Sequence, residues 1–251
     1  MKVKCNDWNI YEVKEDEVKY SHYLMCWDST NIDDVEKLMD WEKAELCLTD
    51  PPYWINYWKQ LIKGEEFKEK TNKHWWRNFW NPKWDVEVPK DVFPLLPTFS
   101  DNQIIWGWNY FTDLLPSSMW WLVWDKWQRW FSLADWEMAW TSFDNAMRIK
   151  EYARAKANQE NKVHPTQKPI EIMEWCLEYW ERHWKTKTIL DLFWWSWSTL
   201  IASEKTNRKC YMMELDEKYI QVILKRYKTY TNWQKDIKCL NRELDLTTIY
   251  E

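Results

Sequence analysis

Four residues at the end of an apolar run, Asp50-Pro51-Pro52-Tyr53, combine an acid, two stiff prolines and an aromatic ring. Proline has no N–H, so this turn presents a carboxylate and carbonyl oxygens, all of them acceptors. Such a cluster suits a partner that brings two N–H donors, for example an exocyclic amino group on a base. Accepting those N–H bonds favours a more pyramidal nitrogen with a localised lone pair. Tyr53 can stack on the ring, a contact worth ~1–3 kcal/mol. An ordinary strand-terminating turn uses the same residue types, so the quartet gains meaning from its surroundings.

Those surroundings include three more acids that end strand-like runs: Asp28, Asp191 and Glu214. Asp191 is followed by a tight loop and by a helix that opens at Ser198-Thr199, an arrangement that points free N–H groups at an anion or zwitterion. An acid closing the next strand, about 20 residues on, is the usual partner of ribose hydroxyls. Together these features describe a site for an adenosine-containing cofactor. A plain βαβ unit with acids at its strand ends has the same pattern.

The elements that must position these residues alternate. "VKYSHYLMCWDST" (ending in a polar turn), "AELCLTD", "NQIIWGWNYF", "MWWLVWDK", "KTILDLF" and "KCYMMELD" read as strands. "NIDDVEKLM" (capped by Asn31), "PIEIMEWCLEYWERH" (Pro169 in its first turn), "STLIASEKTN" and "DEKYIQVILKRYKTY" read as helices. "SLADWEMAWTSF" fits either state, residues 54–80 read as loop, and no repeat or linker interrupts the pattern. Strands alternating with helices specify an α/β fold with a doubly wound, mostly parallel sheet, in one domain spanning 1–251. Ligands of such sheets bind outside the carboxyl ends of the strands, where Asp28, Asp50, Asp191 and Glu214 stand.

Composition narrows the classes. The net charge of −5 rules out coating nucleic acid by bulk positive charge, but Met147 to Lys168 carries six Lys/Arg against two Glu. A local basic face can still hold phosphates within a Debye length, ~8–10 Å; a solvated helix face is the plainer reading of that charge. Six widely spaced cysteines without CxxC, with Cys47 and Cys210 in strand-like runs, fit reduced core thiols of a cytoplasmic protein. The four histidines lack metal-ligand spacing, and neither a signal sequence nor a membrane span is expected.

The order of "DPPY", then "HPTQKP" (His164 to Pro169) and "LDLF..S.STL" closely resembles the DNA amino-methyltransferases that use S-adenosylmethionine, in the permuted β-type order found in bacteria and phages. The likeness runs from the turn at Asp28 to "MELDEKY" and "ILKRY". It implies a Rossmann-like methyltransferase fold and direct in-line methyl transfer, without metal or covalent cysteine, to N6 of an adenine flipped out of double-stranded DNA. Asp50, Pro51, Pro52 and Tyr53 match the catalytic motif. Asp191, Phe193, Ser196, Ser198 and Thr199 match the cofactor loop, Glu214 the ribose acid, and Asp28 the acid near the adenine. His164, Thr166, Gln167 and Lys168 match the segment near the methionine end. A recognition segment is expected within 125–161, where Lys126, Arg129, Arg148 and Arg154 can reach DNA. The resemblance leaves room for a homodimer and for a partner restriction nuclease. N4-cytosine transfer, an inactive DNA-binding scaffold and, more distantly, a nicotinamide-dependent oxidoreductase are the other readings.

The chain departs from that pattern in one way. It has 25 Trp and 2 Gly, where ordinary usage near 7% gives about 18 Gly. The cofactor loop reads Phe193-Trp194-Trp195-Ser196-Trp197 where the family has Phe-x-Gly-x-Gly. Trp27, Trp54 and Trp184 also fall at turns. Most tryptophans therefore read as replacements of glycines in a parent sequence. Three indoles in the loop are expected to fill the cofactor site, and Trp54 to crowd the base pocket. Each misfit typically costs about 1–3 kcal/mol against a total stability of about 5–15 kcal/mol.

Overall fold

The computed structural model describes residues 10–14, 21–53, 89–130, 134–159, 167–181, 186–193, 198–232 and 236–239. Its strands are β1 (Ile10–Lys14), β2 (His22–Cys26), β3 (Ala44–Thr49), β4 (Ser100–Trp106), β5 (Trp121–Asp125), β6 (Trp136–Thr141), β7 (Arg148–Glu151), β8 (Thr188–Asp191), β9 (Lys209–Glu214) and β10 (Asp236–Cys239). They form one sheet in the order β10-β1-β2-β9-β8-β3-β4-β6-β5-β7. The five central strands, β2 to β4 in that order, are mutually parallel. Among the others, β1 and β6 are the two that run against this direction.

The helices are α1 (Ile32–Met39), α2 (Leu96–Phe99, continuing a 3₁₀ turn over Lys90–Leu95), α3 (Arg154–Ala157), α4 (Ile170–Glu181), α5 (Ser198–Lys205) and α6 (Glu217–Tyr230). The period-two alternation of the strands decides which layer each residue meets. Leu46, Leu48, Ile104, Ile189 and Met212 face one core with Ile172, Leu177, Ile201 and Leu224 of the later helices. Cys47, Ile105, Leu190 and Met213 face the opposite core with Val35, Leu38 and Phe99. Both faces are covered, so the strands are apolar throughout, as doubly wound parallel strands must be. Helix α1 starts as its sequence dictates: the Asn31 side chain accepts from the Asp33 N–H, and Asp33 and Asp34 sit in the positive first turn.

The connections diverge in the middle. From β3 the chain goes on to β4 on one side, and from β8 it crosses through α5 to β9 on the other. The crevice between the carboxyl ends of β3 and β8 is therefore the topological switch point, where such folds open toward ligands.

Several sequence expectations shift. The ambiguous aromatic run is strand β6, antiparallel to β4 and β5. The basic stretch is not a continuous helix face: Arg148–Glu151 is strand β7, parallel to β5, and Arg154–Ala157 is one short turn. Tertiary pairing at the sheet edge overrides the weak helical pattern there. Part of the expected recognition segment, 125–161, is thus built into the sheet, as Trp136–Thr141 and Arg148–Glu151. Cys47, Cys176 and Cys210 are free and buried, while Cys26 is disulfide-bonded. No described helix is long and apolar enough to cross a membrane.

Among the described residues, Trp41, Trp127 and Trp130 have φ of +57°, +51° and +66°. A left-handed backbone costs a bulky L-residue roughly 1–2 kcal/mol. These indoles recover little of it, being 74%, 72% and 101% exposed. Trp27 is not among the left-handed residues. Other tryptophans are core: Trp106, Trp120 and Trp180 are wholly or almost wholly buried.

Candidate active site

Asp50 directly follows β3 and is buried. Its Oδ1 accepts the Tyr53 hydroxyl, and its Oδ2 lies 2.6 Å from Lys168 Nζ. Lys168 also donates to the Tyr53 hydroxyl at 2.9 Å and lies 3.0 Å from Glu137 Oε2. Glu137 Oε1 in turn pairs with Lys126 Nζ at 2.5 Å. The result is a row of alternating charge: Asp50, Lys168, Glu137, Lys126. Burial pushes the Asp50 carboxyl above its ordinary value, with Lys168 opposing. Burial also acts upward on Glu137, but the two ammonium groups outweigh it and hold the carboxyl at about 2. Lys168 is raised: burial lowers it, and the paired Asp50 and Glu137 more than compensate.

The Tyr53 ring stacks on Tyr110 at 4.7 Å and 13°, with Phe111 tilted against it at 6.0 Å. Gly107 directly follows β4 with φ +80°, and a Cβ there would lie 2.0 Å from Tyr53 Cε1. Only glycine allows this left-handed backbone and this approach together.

One strand away, about 5 Å across the sheet, Asp191 ends β8. Its Oδ1 accepts the Thr49 hydroxyl at 2.7 Å and the Phe193 N–H at 3.3 Å; its Oδ2 accepts the Thr199 hydroxyl at 2.6 Å. Asp191 thus ties the end of β3 and the first turn of α5 to β8. Burial raises its carboxyl to about 6, with these hydrogen bonds pulling the other way. The Ser198 hydroxyl donates to the Lys168 carbonyl at 2.6 Å, joining the start of α5 to the Asp50 cluster. Glu214 ends β9, the next strand out; its Oε1 accepts the Asp216 N–H at 2.8 Å, and burial, with Asp216 and Asp191 adding, holds its carboxyl well above the usual range.

The sequence-predicted residues therefore divide. Asp50, Tyr53, Asp191, Ser198, Thr199 and Glu214 line the carboxyl ends of three adjacent strands, with Pro51, Pro52 and Phe193 in the adjoining turns. Lys168, from the segment expected near the methionine end of the cofactor, lies at the heart of the Asp50 cluster. Gln167 is buried and accepts from Arg226 of α6 at 3.3 Å. Asp28 is exposed and caps its own turn through the Thr30 N–H and hydroxyl, at 2.9 and 2.8 Å. His164, Thr166, Ser196, Trp54, Trp184, Trp194, Trp195 and Trp197 lie outside the described residues.

The expected DNA contacts also divide. Lys126 is buried on Glu137 and does not face solvent. Arg129 is exposed and grips Asp125 through both nitrogens, at 2.9 and 2.6 Å. Arg148 is exposed, with its guanidinium 5.7 Å over the Tyr179 ring. Arg154 is half-buried and donates its backbone N–H to the Lys126 carbonyl. Glu137 was missed. Read as a strand, "WEMAWT" puts Glu137 on the same face as core Ala139, and a charge at such a position needs a buried partner.

No protein-family profile and no curated protein matches the chain. Among solved structures, the M1.HpyAVI–SAM complex is similar at 18% identity over 81% of this chain and 98% of that one, with a TM-score of 0.47. PvuII DNA methyltransferase (cytosine-N4-specific) is similar at 13% identity over 94% of both chains, TM-score 0.49. TTHA0409 from Thermus thermophilus, complexed with S-adenosyl-L-methionine, is similar at 15% identity over 83% of this chain and 93% of that one, TM-score 0.45. The doubly wound α/β assignment rests on the chain's own strand order.

Proposed function

We propose that this protein is a DNA methyltransferase that uses S-adenosylmethionine and acts on the N6 amino group of adenine. The observation that carries the reading is the Asp50-Pro51-Pro52-Tyr53 turn at the switch point, an acceptor cluster beside a stacking ring, one strand from Asp191. The residues fit the cofactor on their own chemistry. Buried Glu214 suits a ribose diol, and the α5 terminus, fixed by Thr199 on Asp191, suits the zwitterionic end. When bound, S-adenosylmethionine supplies an electrophilic methyl on a positively charged sulfur.

The chain's own part is positioning and proton holding. Asp50 and the proline carbonyls accept the amine N–H groups and aim the nitrogen lone pair. Tyr53, whose ring stacks on Tyr110, is the aromatic surface for a base that has left the duplex. As nitrogen gains the methyl it must lose a proton, and Asp50, made more basic by burial, is placed to hold it. Exposed Arg129 and Arg148 are candidates for phosphate contacts.

The test is transfer of labelled methyl from S-adenosylmethionine to unmethylated DNA, with nucleoside analysis, on this chain and on a version carrying glycine at 194, 195 and 197. Label in N6-methyladenine is expected. Label in N4-methylcytosine moves the target base. Label from the glycine version alone means that the tryptophan loop disables the enzyme. No label from either overturns the reading in favour of a scaffold.

A further inference from the structure

Lys168 is the group that the proposed mechanism does not use, yet it occupies the centre of the site. An ammonium has three N–H donors and no acceptor. Here three oxygens surround it: Asp50 Oδ2, the Tyr53 hydroxyl and Glu137 Oε2, at 2.6, 2.9 and 3.0 Å, with 1% of the side chain exposed. The Tyr53 hydroxyl takes the other Asp50 oxygen. Both Asp50 oxygens are therefore engaged, one of them by a primary amine of the chain itself. Glu137 is shared with Lys126, so it has a charge with which to hold Lys168 when Asp50 is occupied by something else.

We propose that Asp50, Tyr53 and Glu137 form a primary-amine subsite that Lys168 fills in the free protein, and that Glu137 receives the Lys168 ammonium when the target amine takes its place on Asp50. The identity of that incoming amine rests on the methyltransferase reading; the subsite does not. Glu137 is then a positioning residue and Lys168 an internal competitor. A buried lysine left without Glu137 would cling to Asp50 alone, because an unpaired buried charge is costly.

Two experiments test this. The first measures methyl transfer against DNA concentration for Glu137→Gln, Lys168→Met and the double variant. Glu137→Gln is expected to raise KM for DNA about tenfold, with kcat and S-adenosylmethionine affinity little changed, and to be silent in the Lys168→Met background. An equal effect in both backgrounds, or an effect on kcat alone, overturns the proposal. The second needs no methyl transfer. Lys168→Ala leaves an ammonium-sized gap, and ethylammonium chloride is expected to raise its Tm saturably. Sodium chloride should not, nor should ethylammonium act on the parent chain or on Asp50→Asn/Lys168→Ala. If Lys168→Ala does not fold alone, the yield of refolding in the two salts reads the same site. No preference for ethylammonium overturns the subsite. If neither the parent chain nor its version with glycine at 194, 195 and 197 methylates DNA while Lys168→Ala takes ethylammonium, the functional reading falls and the subsite stands.

The tryptophans carry a second inference on independent grounds. Trp41, Trp127 and Trp130 combine a left-handed backbone with indoles that are almost bare, in a chain of 25 Trp and 2 Gly. That is where turns require glycine and where a large side chain gains nothing. We infer that the protein made by its own source carries glycine at 41, 127 and 130, through a codon open to two decodings. UGA differs by one base from both the tryptophan codon UGG and the glycine codon GGA. Peptide mass spectrometry of protein recovered from that source decides it: glycine at the three positions is expected, and tryptophan there overturns the inference.

Discussion

Asp191→Asn is expected to make the free protein more stable at neutral pH, by an amount that depends on pH in a defined way. Burial raises the Asp191 carboxyl from 3.8 to about 6 in the folded chain. The folded state therefore holds this proton more tightly than the unfolded state. Its contribution is fully present below pH ~4 and is lost as pH rises through ~6. A shift of about two units corresponds to roughly 3 kcal/mol at pH 8. Asparagine mimics the protonated acid at every pH. It keeps one acceptor for Thr49 or Thr199 and can donate to the other hydroxyl, so the constant loss in hydrogen bonding is about 1 kcal/mol or less. Urea unfolding of parent and variant, measured from pH 4 to 8, should give a stability difference near zero or slightly negative at pH 4. That difference should rise by roughly 3 kcal/mol toward pH 8. Most other titrating groups cancel in the subtraction. A difference independent of pH, or one that falls as pH rises, would refute the reasoning. A buried charge that destabilises the fold is what a site for a cationic ligand is expected to carry, since binding relieves it.

Other expectations follow from neighbouring residues. Gly107→Ala puts a Cβ against the Tyr53 ring, so methyl-transfer kcat should fall while S-adenosylmethionine affinity by calorimetry holds; unchanged kcat would mean that Tyr53 has room to move. Replacing Trp41, Trp127 and Trp130 by glycine relieves about 1–2 kcal/mol of backbone strain at each. Against this stands the greater freedom glycine gives the unfolded chain, about 0.5–1 kcal/mol. The urea midpoint should therefore rise, and a fall would contradict the strain assignment. Lys126→Ala strips a buried partner from Glu137 and should destabilise the fold by several kcal/mol. Arg148→Ala should leave the urea midpoint unchanged and flatten the salt dependence of DNA binding by about one charge; a reversed pattern would move the DNA contact back to Lys126.

The sequence by itself determined the elements and the ends at which chemistry sits. Its apolar runs flanked by acids became β3, β8 and β9, and Asn31 capped the helix that its position demanded, because alternation, capping and strand-end chemistry are local properties. It also singled out Asp50 to Tyr53, since proline's missing N–H is a fact of composition. Tertiary structure alone decided the partnerships. The register of β6 against β5 brings Glu137 to Lys126, and the fold carries Lys168, 118 positions away in sequence, onto Asp50. Pairing on the other side of β5 turned part of a basic stretch into edge strand β7. Lysines look alike in a sequence whether solvated or buried. Which of them meets a carboxylate depends on contacts between distant segments, and those form only when the sheet closes around its two cores.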